Sequence, residues 1–211
     1  MRITKHEHAL LTVEAGEETL VIDPGSFSPA LGSLTNVTGV VITHEHADHW
    51  IPEHLTAIAS QFPDAVFFGT AAVAAQAPVE VTVVSPGDEV TAGSFSLRFF
   101  GGTHSEIHSS IPLVDNVGVL VNDSLYYPGD SYAVPEGVAV EALAAPVGAP
   151  WLKIGEAMDF VLAVAPRHAF GTHEATLSAA GAGMHLGRLA WATEQGGGQF
   201  HPLTPGESFE I

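Results

Sequence analysis

Apolar residues recur along the chain with two spacings, which predict an alternation of strands and helices. Short runs that alternate apolar and polar positions, or that are wholly apolar, are typical of strands. Apolar positions three and four residues apart are typical of helices that pack one face on a sheet. The predicted strands are 9–13, 19–22, 40–43, 65–69, 79–84, 94–100, 117–121, 124–127, 140–146 and 168–173, with a last short strand after the glycines at 196–198. The predicted helices are 52–62, 71–77, 154–165 and about 175–194.

The order of these elements predicts an α/β fold. Strands 9–13 and 19–22 flank a turn and are expected to form a hairpin, as are 117–121 and 124–127. Elsewhere strands alternate with helices. Hydrophobic residues make up 46% of the 211 residues, and no linker rich in Pro, Ser or charge divides the chain. A large core is therefore available, and we expect a single domain over residues 1–211.

Three histidines and an aspartate fall within six positions directly after a strand-like run, in the segment 43–49 with the sequence THEHADH. In an extended chain His44 and His46 project to one side and can grip one cation. A turn after Asp48 would swing Asp48 and His49 toward a second position, so the spacing predicts two metals. These ligand types suit zinc, with iron, manganese or nickel as alternatives. A polar, His-rich surface loop is the competing interpretation, which this dense packing disfavours.

Later strands end in residues that would complete such a site. His104 follows a predicted strand and two glycines, so it is a candidate ligand, and Asp130 follows a strand and Pro-Gly, so it is a candidate bridging ligand. His168 and His173 compete for the last position. We favour His173, because it lies at the carboxyl end of its strand, as His44 and His104 do. Four histidines have no predicted role in the site: His185 is expected on the surface of the last helix, and His6, His54 and His201 are expected on the surface or in the core.

The charge balance argues against two classes of partner. The chain has 24 Asp and Glu against 6 Lys and Arg, which gives a net charge of −18. Nucleic-acid backbones and anionic membranes require basic surfaces, so we expect neither as a partner. Bound divalent metals would oppose this charge locally.

Cysteine is absent, which excludes disulfides, thiolate ligands and a cysteine nucleophile. The first eight residues lead into strand-like sequence without an apolar leader, and no apolar run is long enough to cross a membrane. We therefore expect a cytoplasmic protein. Its apolar content is compatible with a homo-oligomer as well as with a large core.

With its motifs in this order, the chain resembles the metallo-beta-lactamase superfamily over nearly all of its length. The His-x-His-x-Asp-His block carries the resemblance, together with the later Gly-Gly-Thr-His, Pro-Gly-Asp-Ser and Gly-Thr-His segments. Within the superfamily the chain is most similar to the short, ascorbate-phosphate-lactonase-like hydrolases. The resemblance implies a four-layer αββα sandwich, in which two mixed sheets pack face to face with the metals at one edge.

The resemblance also implies a role for each residue of the site. The implied ligands are His44, His46 and His104 for the first metal, Asp48, His49 and His173 for the second, and Asp130 as the bridge. Asp23 would brace these ligands without binding metal. His8 would approach the site from the N-terminal strand.

The implied reaction is hydrolysis of a small lactone, ester, amide or phosphoester by a hydroxide that two divalent metals share. Asp48 and His108 are the candidate catalytic side chains, with His108 as a proton donor or an oxyanion contact. A structural hydrogen bond is an equal alternative for His108. Two other functions stay open: a metal-binding member of the fold without turnover, and a metal-dependent nuclease, which the shortage of bases disfavours.

Overall fold

Fourteen strands and four helices make up the described part of the chain in the computed structural model, which is residues 1–28, 31 and 34–211. The strands are β1 (Arg2–Lys5), β2 (Leu11–Ala15), β3 (Glu18–Ile22), β4 (Val37–Ile42), β5 (Val66–Gly69), β6 (Thr82–Val83), β7 (Glu89–Ala92), β8 (Phe95–Thr103), β9 (Asp115–Val121), β10 (Leu125–Tyr127), β11 (Ala142–Pro146), β12 (His168–Thr172), β13 (Gln199–Phe200) and β14 (Ser208–Glu210). The helices are α1 (Pro52–Gln61), α2 (Ala71–Gln76), α3 (Ile154–Val164) and α4 (Ala179–Gln195). Within these residues, no helix combines the length and the apolar character that a membrane crossing needs.

The strands form two mixed sheets of seven strands each. The first sheet has the order β14-β1-β2-β3-β4-β5-β6, and the second has the order β13-β12-β11-β10-β9-β8-β7. In the first sheet the pairings from β14 to β3 are antiparallel and those from β3 to β6 are parallel. In the second sheet the pairings from β7 to β10 are antiparallel and those from β10 to β13 are parallel. Each sheet therefore has antiparallel pairings on one side and parallel pairings on the other.

Three apolar layers hold the sheets and helices together. The central layer lies between the sheets, where Leu20 of β3 and Phe99 of β8 belong to one buried cluster. Leu55 of α1 packs on the outer face of the first sheet, and α2 joins the same cluster. Phe160 of α3 and Leu189 of α4 pack on the outer face of the second sheet. This order of layers is the predicted αββα sandwich, and the fold class is confirmed.

The predicted elements differ from the observed ones mainly at the sheet edges. The predicted strand 79–84 is reduced to β6, and the short edge strands β7 and β14 were not predicted, nor was β1, which lies beside β14. Such edge strands have few apolar positions, so their pairing depends on neighbours distant in the sequence. The last helix begins at Ala179 rather than near residue 175, because the Ser178 hydroxyl caps it by accepting a hydrogen bond from Gly181 N at 3.2 Å.

Every candidate ligand follows the carboxyl end of a strand. The segment 43–49 follows β4, His104 follows β8, Asp130 follows β10 by three residues, and His173 follows β12. Rigid strands thus aim the functional side chains from both sheets toward one place.

Candidate metal centre

The segment 43–49 is a sequence of bends and turns rather than a continuation of β4, which ends at Ile42. Strand alternation, which was predicted to put His44 and His46 on one side, therefore does not apply here. Their rings still meet, with 3.1 Å between His44 Nε2 and His46 Nδ1. The turn is closed by the backbone N–H of His49, which donates to His46 O at 3.0 Å. This turn brings His44, His46, Asp48 and His49 close together.

The first group of ligand atoms belongs to His44, His46 and His104, and these atoms lie within 4.8 Å of one another. The Nδ1 of His104 donates to the backbone oxygen of Ser105 at 2.6 Å. A carbonyl oxygen only accepts, so this contact fixes the proton on Nδ1 and turns Nε2 toward the group.

A second group is formed by Asp48, His49 and His173. His173 Nε2 lies 3.2 Å from His49 Nε2 and 3.4 Å from Asp48 Oδ2. The Nδ1 of His173 donates to Gly148 O at 2.5 Å, and the Nδ1 of His49 donates to Asp23 Oδ2 at 2.6 Å. Both Nε2 atoms therefore face inward, as those of metal-binding histidines do when their other nitrogen is held by an acceptor.

Asp130 lies between the two groups. Its Oδ2 is 3.3 Å from His104 Nε2, and its Oδ1 is 3.2 Å from both His49 Nε2 and His173 Nε2. The backbone N–H of Asp130 donates to Asn116 Oδ1 at 3.0 Å. Gly129 allows this approach, because its φ is +61° and a Cβ there would lie 2.4 Å from Asn116 Oδ1. The carboxylate is thus positioned to contact both groups.

These donor atoms fit divalent cations. Among the described residues, the buried His104 Nε2 has no hydrogen-bond partner, because the Asp130 Oδ2 atom that it faces can only accept. Proteins rarely leave buried polar atoms in this condition. Imidazole nitrogens and carboxylate oxygens that converge without thiolate are ligands for zinc and for related first-row metals.

Charge–charge interactions shift the pKa values of these groups strongly. Burial disfavours the protonated form of His49, but the Asp130 and Asp23 carboxylates raise its pKa well above the usual value. Burial also lowers the pKa of His173, but the Asp130 carboxylate outweighs this effect and raises the pKa to about 9. Burial opposes ionisation of Asp130, yet His49 and His173 bring its pKa well below the usual value. The His173 ring therefore carries a proton at neutral pH where a cation would otherwise bind.

Asp23, expected to brace the site, is fully buried behind His49. Besides the His49 ring, it accepts hydrogen bonds from the Thr43 backbone N–H at 2.8 Å and from the Thr43 hydroxyl at 2.7 Å. Three donors thus hold this carboxylate, and it in turn fixes the His49 ring and the start of the ligand-bearing turn.

His8 lies at the site, but its hydrogen bonds differ from those of the candidate ligands. The backbone N–H of Ala175 donates to His8 Nδ1 at 3.2 Å, so the proton of the neutral ring is on Nε2. That Nε2 donates to Asp48 Oδ2 at 3.2 Å. His8 and His173 both adopt left-handed backbone conformations, with φ of 59° and 65°, and His173 N donates to His8 O at 2.9 Å. Such strained residues cluster at functional sites.

Other histidines lie outside both ligand groups. His108 is exposed on the loop after β8, where its Nδ1 accepts a hydrogen bond from Ser110 N at 3.1 Å. His168 pairs with His201 at 3.0 Å. His185 was expected simply on the helix surface, but it is half-buried and its Nδ1 donates to Val147 O at 2.6 Å. His54 Nδ1 donates to Pro24 O at 2.9 Å, and His6 contacts the Thr12 hydroxyl at 3.0 Å.

Two residues that contact Asp130 were not named from the sequence. Asn116 is a fully buried amide on β9. Its position directly before the apolar run of this strand was a signal that could have found it. Trp151 donates its Nε1–H to Asp130 Oδ2 at 2.8 Å. No spacing pointed to Trp151, because it reaches the site through the path of the chain after β11.

The family follows from the sequence as a whole. Residues 2–173 match the family model described as the beta-lactamase superfamily domain. The chain belongs to the beta-lactamase superfamily. Among curated relatives of this superfamily member, Protein Rv0786c of Mycobacterium tuberculosis (strain ATCC 25618 / H37Rv) is 37% identical over 198 residues, which cover 92% of this chain and 93% of the relative.

Solved structures support the fold of this beta-lactamase superfamily member. Igni18, a metallo hydrolase from the archaeon Ignicoccus hospitalis KIN4/I, has a TM-score of 0.76 at 19% identity and covers 100% of this chain and 98% of its own. CmlA, a diiron beta-hydroxylase from Streptomyces venezuelae, has a TM-score of 0.73 at 13% identity and covers 100% of this chain and 54% of its own. At these identities the likeness concerns the fold alone, and the two neighbours differ in reaction.

Proposed function

We propose that this protein is a metal-dependent hydrolase that uses two divalent cations, with zinc as the first choice. One observation carries the proposal: imidazoles from both groups converge on the buried Asp130 carboxylate, with His104 Nε2 3.3 Å from Oδ2 and the Nε2 atoms of His49 and His173 3.2 Å from Oδ1. Among the described residues His104 Nε2 has no hydrogen-bond partner, and removing such a group from water costs about 1–3 kcal/mol, which a bound cation would offset.

The seven candidate ligands divide between two cation positions. They are His44, His46 and His104 at the first, Asp48, His49 and His173 at the second, and Asp130 between the two. When bound, divalent cations lower the pKa of a coordinated water toward about 7 and polarise the bond to be cleaved. The protein's own contribution is to orient the rings through their Nδ1 partners.

His8 supports the site as a proton-bearing group rather than as a ligand. With its proton on Nε2, the neutral ring has no lone pair to offer at the atom that faces Asp48. Burial also lowers the pKa of His8, which keeps the ring neutral. Its hydrogen bond fixes Asp48 Oδ2 and holds a proton beside the place where charge would develop during hydrolysis.

The surroundings of the site favour a small, uncharged substrate such as a lactone, ester or amide. Five of the six basic side chains lie 3.6 Å or closer to a carboxylate, namely Arg2, Lys5, Arg98, Lys153 and Arg167. Phosphate recognition relies on such cations, so a phosphoester or an ascorbate-phosphate lactone is the less favoured substrate. Phe27 is 49% exposed and its ring meets the His8 ring edge-on at 4.8 Å. It offers an apolar wall beside the site.

Substitution of ligands tests the assignment. His46→Ala and Asp130→Asn should each lower the metal content of the purified protein and reduce kcat/KM by at least about 100-fold, because each removes a ligand. Elemental analysis and a screen of lactones, esters, amides and phosphoesters provide the two readouts. His201→Ala is the matched control, since His201 contacts His168 away from the site, and it should change neither.

Three results would count against the proposal. Full metal loading in both ligand variants would refute the ligand assignment. Turnover in the presence of chelators would show that the reaction does not need metal. Stoichiometric metal without cleavage of any substrate in the screen would favour a metal-binding protein that does not catalyse hydrolysis.

A further inference from the structure

The segment 147–151, which follows β11, contacts two candidate ligands from behind. Gly148 O accepts the Nδ1 proton of His173, and Trp151 Nε1 donates to Asp130 Oδ2 at 2.8 Å. The segment is itself anchored, because Val147 O accepts a hydrogen bond from His185 of α4 at 2.6 Å. One short stretch of chain therefore contacts a ligand of the second group and the carboxylate that lies between the two groups.

The indole of Trp151 is held in place by contacts other than the one with Asp130. Trp151 is only 8% exposed. Its ring lies edge-on to the rings of Tyr132, at 5.2 Å between centroids, and of His104, at 5.9 Å. Tyr132 in turn packs against Phe160 of α3 at 5.8 Å. Because packing fixes the indole, its N–H is a preformed donor that the carboxylate must meet.

Asp130 is thus held through both its backbone and its side chain. Asn116 holds its backbone N–H, and Trp151 holds Oδ2 of its carboxylate. The second contact sets the rotation of the carboxylate, since an indole N–H donates only along one direction. In the orientation that results, Oδ1 faces His49 Nε2 and His173 Nε2 at 3.2 Å each.

We propose that Trp151 is a positioning residue for the metal centre, whose N–H fixes the plane of the Asp130 carboxylate and thereby sets the affinity for cations. The inference rests on the proposed metal binding and concerns a residue that binds no metal itself. Hydrogen-bond partners of ligands commonly alter metal affinity by about 10- to 100-fold. Without the indole N–H, Asp130 can rotate and Oδ1 is no longer held toward the two rings.

Zinc titration of the metal-free protein against a chromophoric chelator tests the proposal. Trp151→Phe keeps most of the ring and removes the donor, and it should bind Zn²⁺ about tenfold more weakly than the wild type. Trp191→Phe is the matched control, because Trp191 is 47% exposed on α4, and its affinity should equal that of the wild type. Unchanged affinity in folded Trp151→Phe would overturn the proposal.

The wild-type protein offers a second measurement, for which the variants serve only to assign resonances. In ¹⁵N-labelled protein, addition of Zn²⁺ should shift the indole N–H resonance of Trp151 and leave that of Trp191 in place. The resonances are assigned by their loss in the single Trp→Phe variants, including Trp50→Phe. A Trp151 resonance that stays unshifted on zinc binding contradicts the proposal. A wild-type protein that binds no zinc would instead refute the proposed function itself.

Discussion

A histidine ring has two nitrogens, and at this site the partner of one decides what the other can do. His49, His104 and His173 each donate Nδ1–H to an oxygen, so Nε2 is the atom that faces the other ligands. His8 has the opposite arrangement, because Ala175 N–H donates to its Nδ1. Two kinds of histidine therefore lie side by side: three presented for a cation and one presented with a proton.

The raised pKa of His173 predicts that metal binding releases a proton. Its pKa is raised to about 9, so the ring is protonated at pH 7 without metal. A ligand ring must be neutral, hence binding of a cation should expel about one proton from it. Calorimetric zinc titration at pH 7 in buffers of different ionisation enthalpy measures this release. Heats that do not depend on the buffer would contradict the prediction.

The sequence predicted most of the residues that gather here and fewer of their roles. His44, His46, Asp48 and His49 were evident because the chain places them in one turn, and His104, Asp130 and His173 because each follows a strand. The contribution of Trp151 could not be predicted, because it depends on how Tyr132 and His104 pack around the indole. The tautomer of His8 depends on Ala175, a residue 167 positions away.

At the scale of elements, the loop after β3 supports the ligand-bearing turn after β4. Ser26 N donates to Ala47 O at 2.9 Å, and Gly25 lies against the backbone of Asp48. A Cβ on Gly25 would lie 1.7 Å from Asp48 O, so no other residue fits without movement of the turn. Two loops from neighbouring parallel strands thus form one rigid support.

Substitution of Gly25 should therefore damage the site more than an ordinary glycine substitution would. Gly25→Ala is expected to destabilise the protein by about 1–3 kcal/mol, as overpacking of a tight contact does, and to weaken zinc binding. Gly155→Ala is the matched control: a Cβ there meets no atom within 4 Å, and Gly155 lies in α3, so stability should stay equal or rise by up to about 1 kcal/mol. Urea unfolding compares the two, and equal stabilities would refute the steric argument.

Element prediction succeeded where the apolar pattern is strong and the element is central. β4, β9 and α3 were all found with shifts of one to three residues, because their buried faces are continuous. β14 was missed since its three residues become a strand only by pairing with β1, about 200 positions earlier in the chain. Such long-range pairing leaves little local signal.

At the scale of the whole molecule, one buried ion pair connects the two sheets near the site. Lys5 of β1 is 2% exposed and binds the carboxylate of Glu174, which directly follows His173. Lys5 Nζ also donates to His6 O at 3.0 Å. The pair fastens the loop that carries a candidate ligand of the second sheet to the edge region of the first.

Removal of one partner should cost more than removal of both. Lys5→Met is expected to lower the free energy of unfolding by about 2–3 kcal/mol, because Glu174 keeps its charge in a site that is only 21% exposed. Adding Glu174→Gln should recover about half of the loss. Urea denaturation of both single variants and the double variant, in chelator, completes the cycle. Strictly additive losses would show that the two side chains are not coupled.

Four candidate ligands lie in one turn, and this also matters when the protein is unfolded. His44, His46, Asp48 and His49 remain neighbours in a denatured chain, whereas His104, Asp130 and His173 disperse. A denatured chain can therefore retain a cation weakly, and the thermal protection that zinc gives should fall short of what its affinity for the folded protein implies, because only the difference between the two states counts. A nascent chain that binds zinc early would hold the ion at the turn after β4 before the second sheet has formed. The bound metal would then promote the packing of the two sheets.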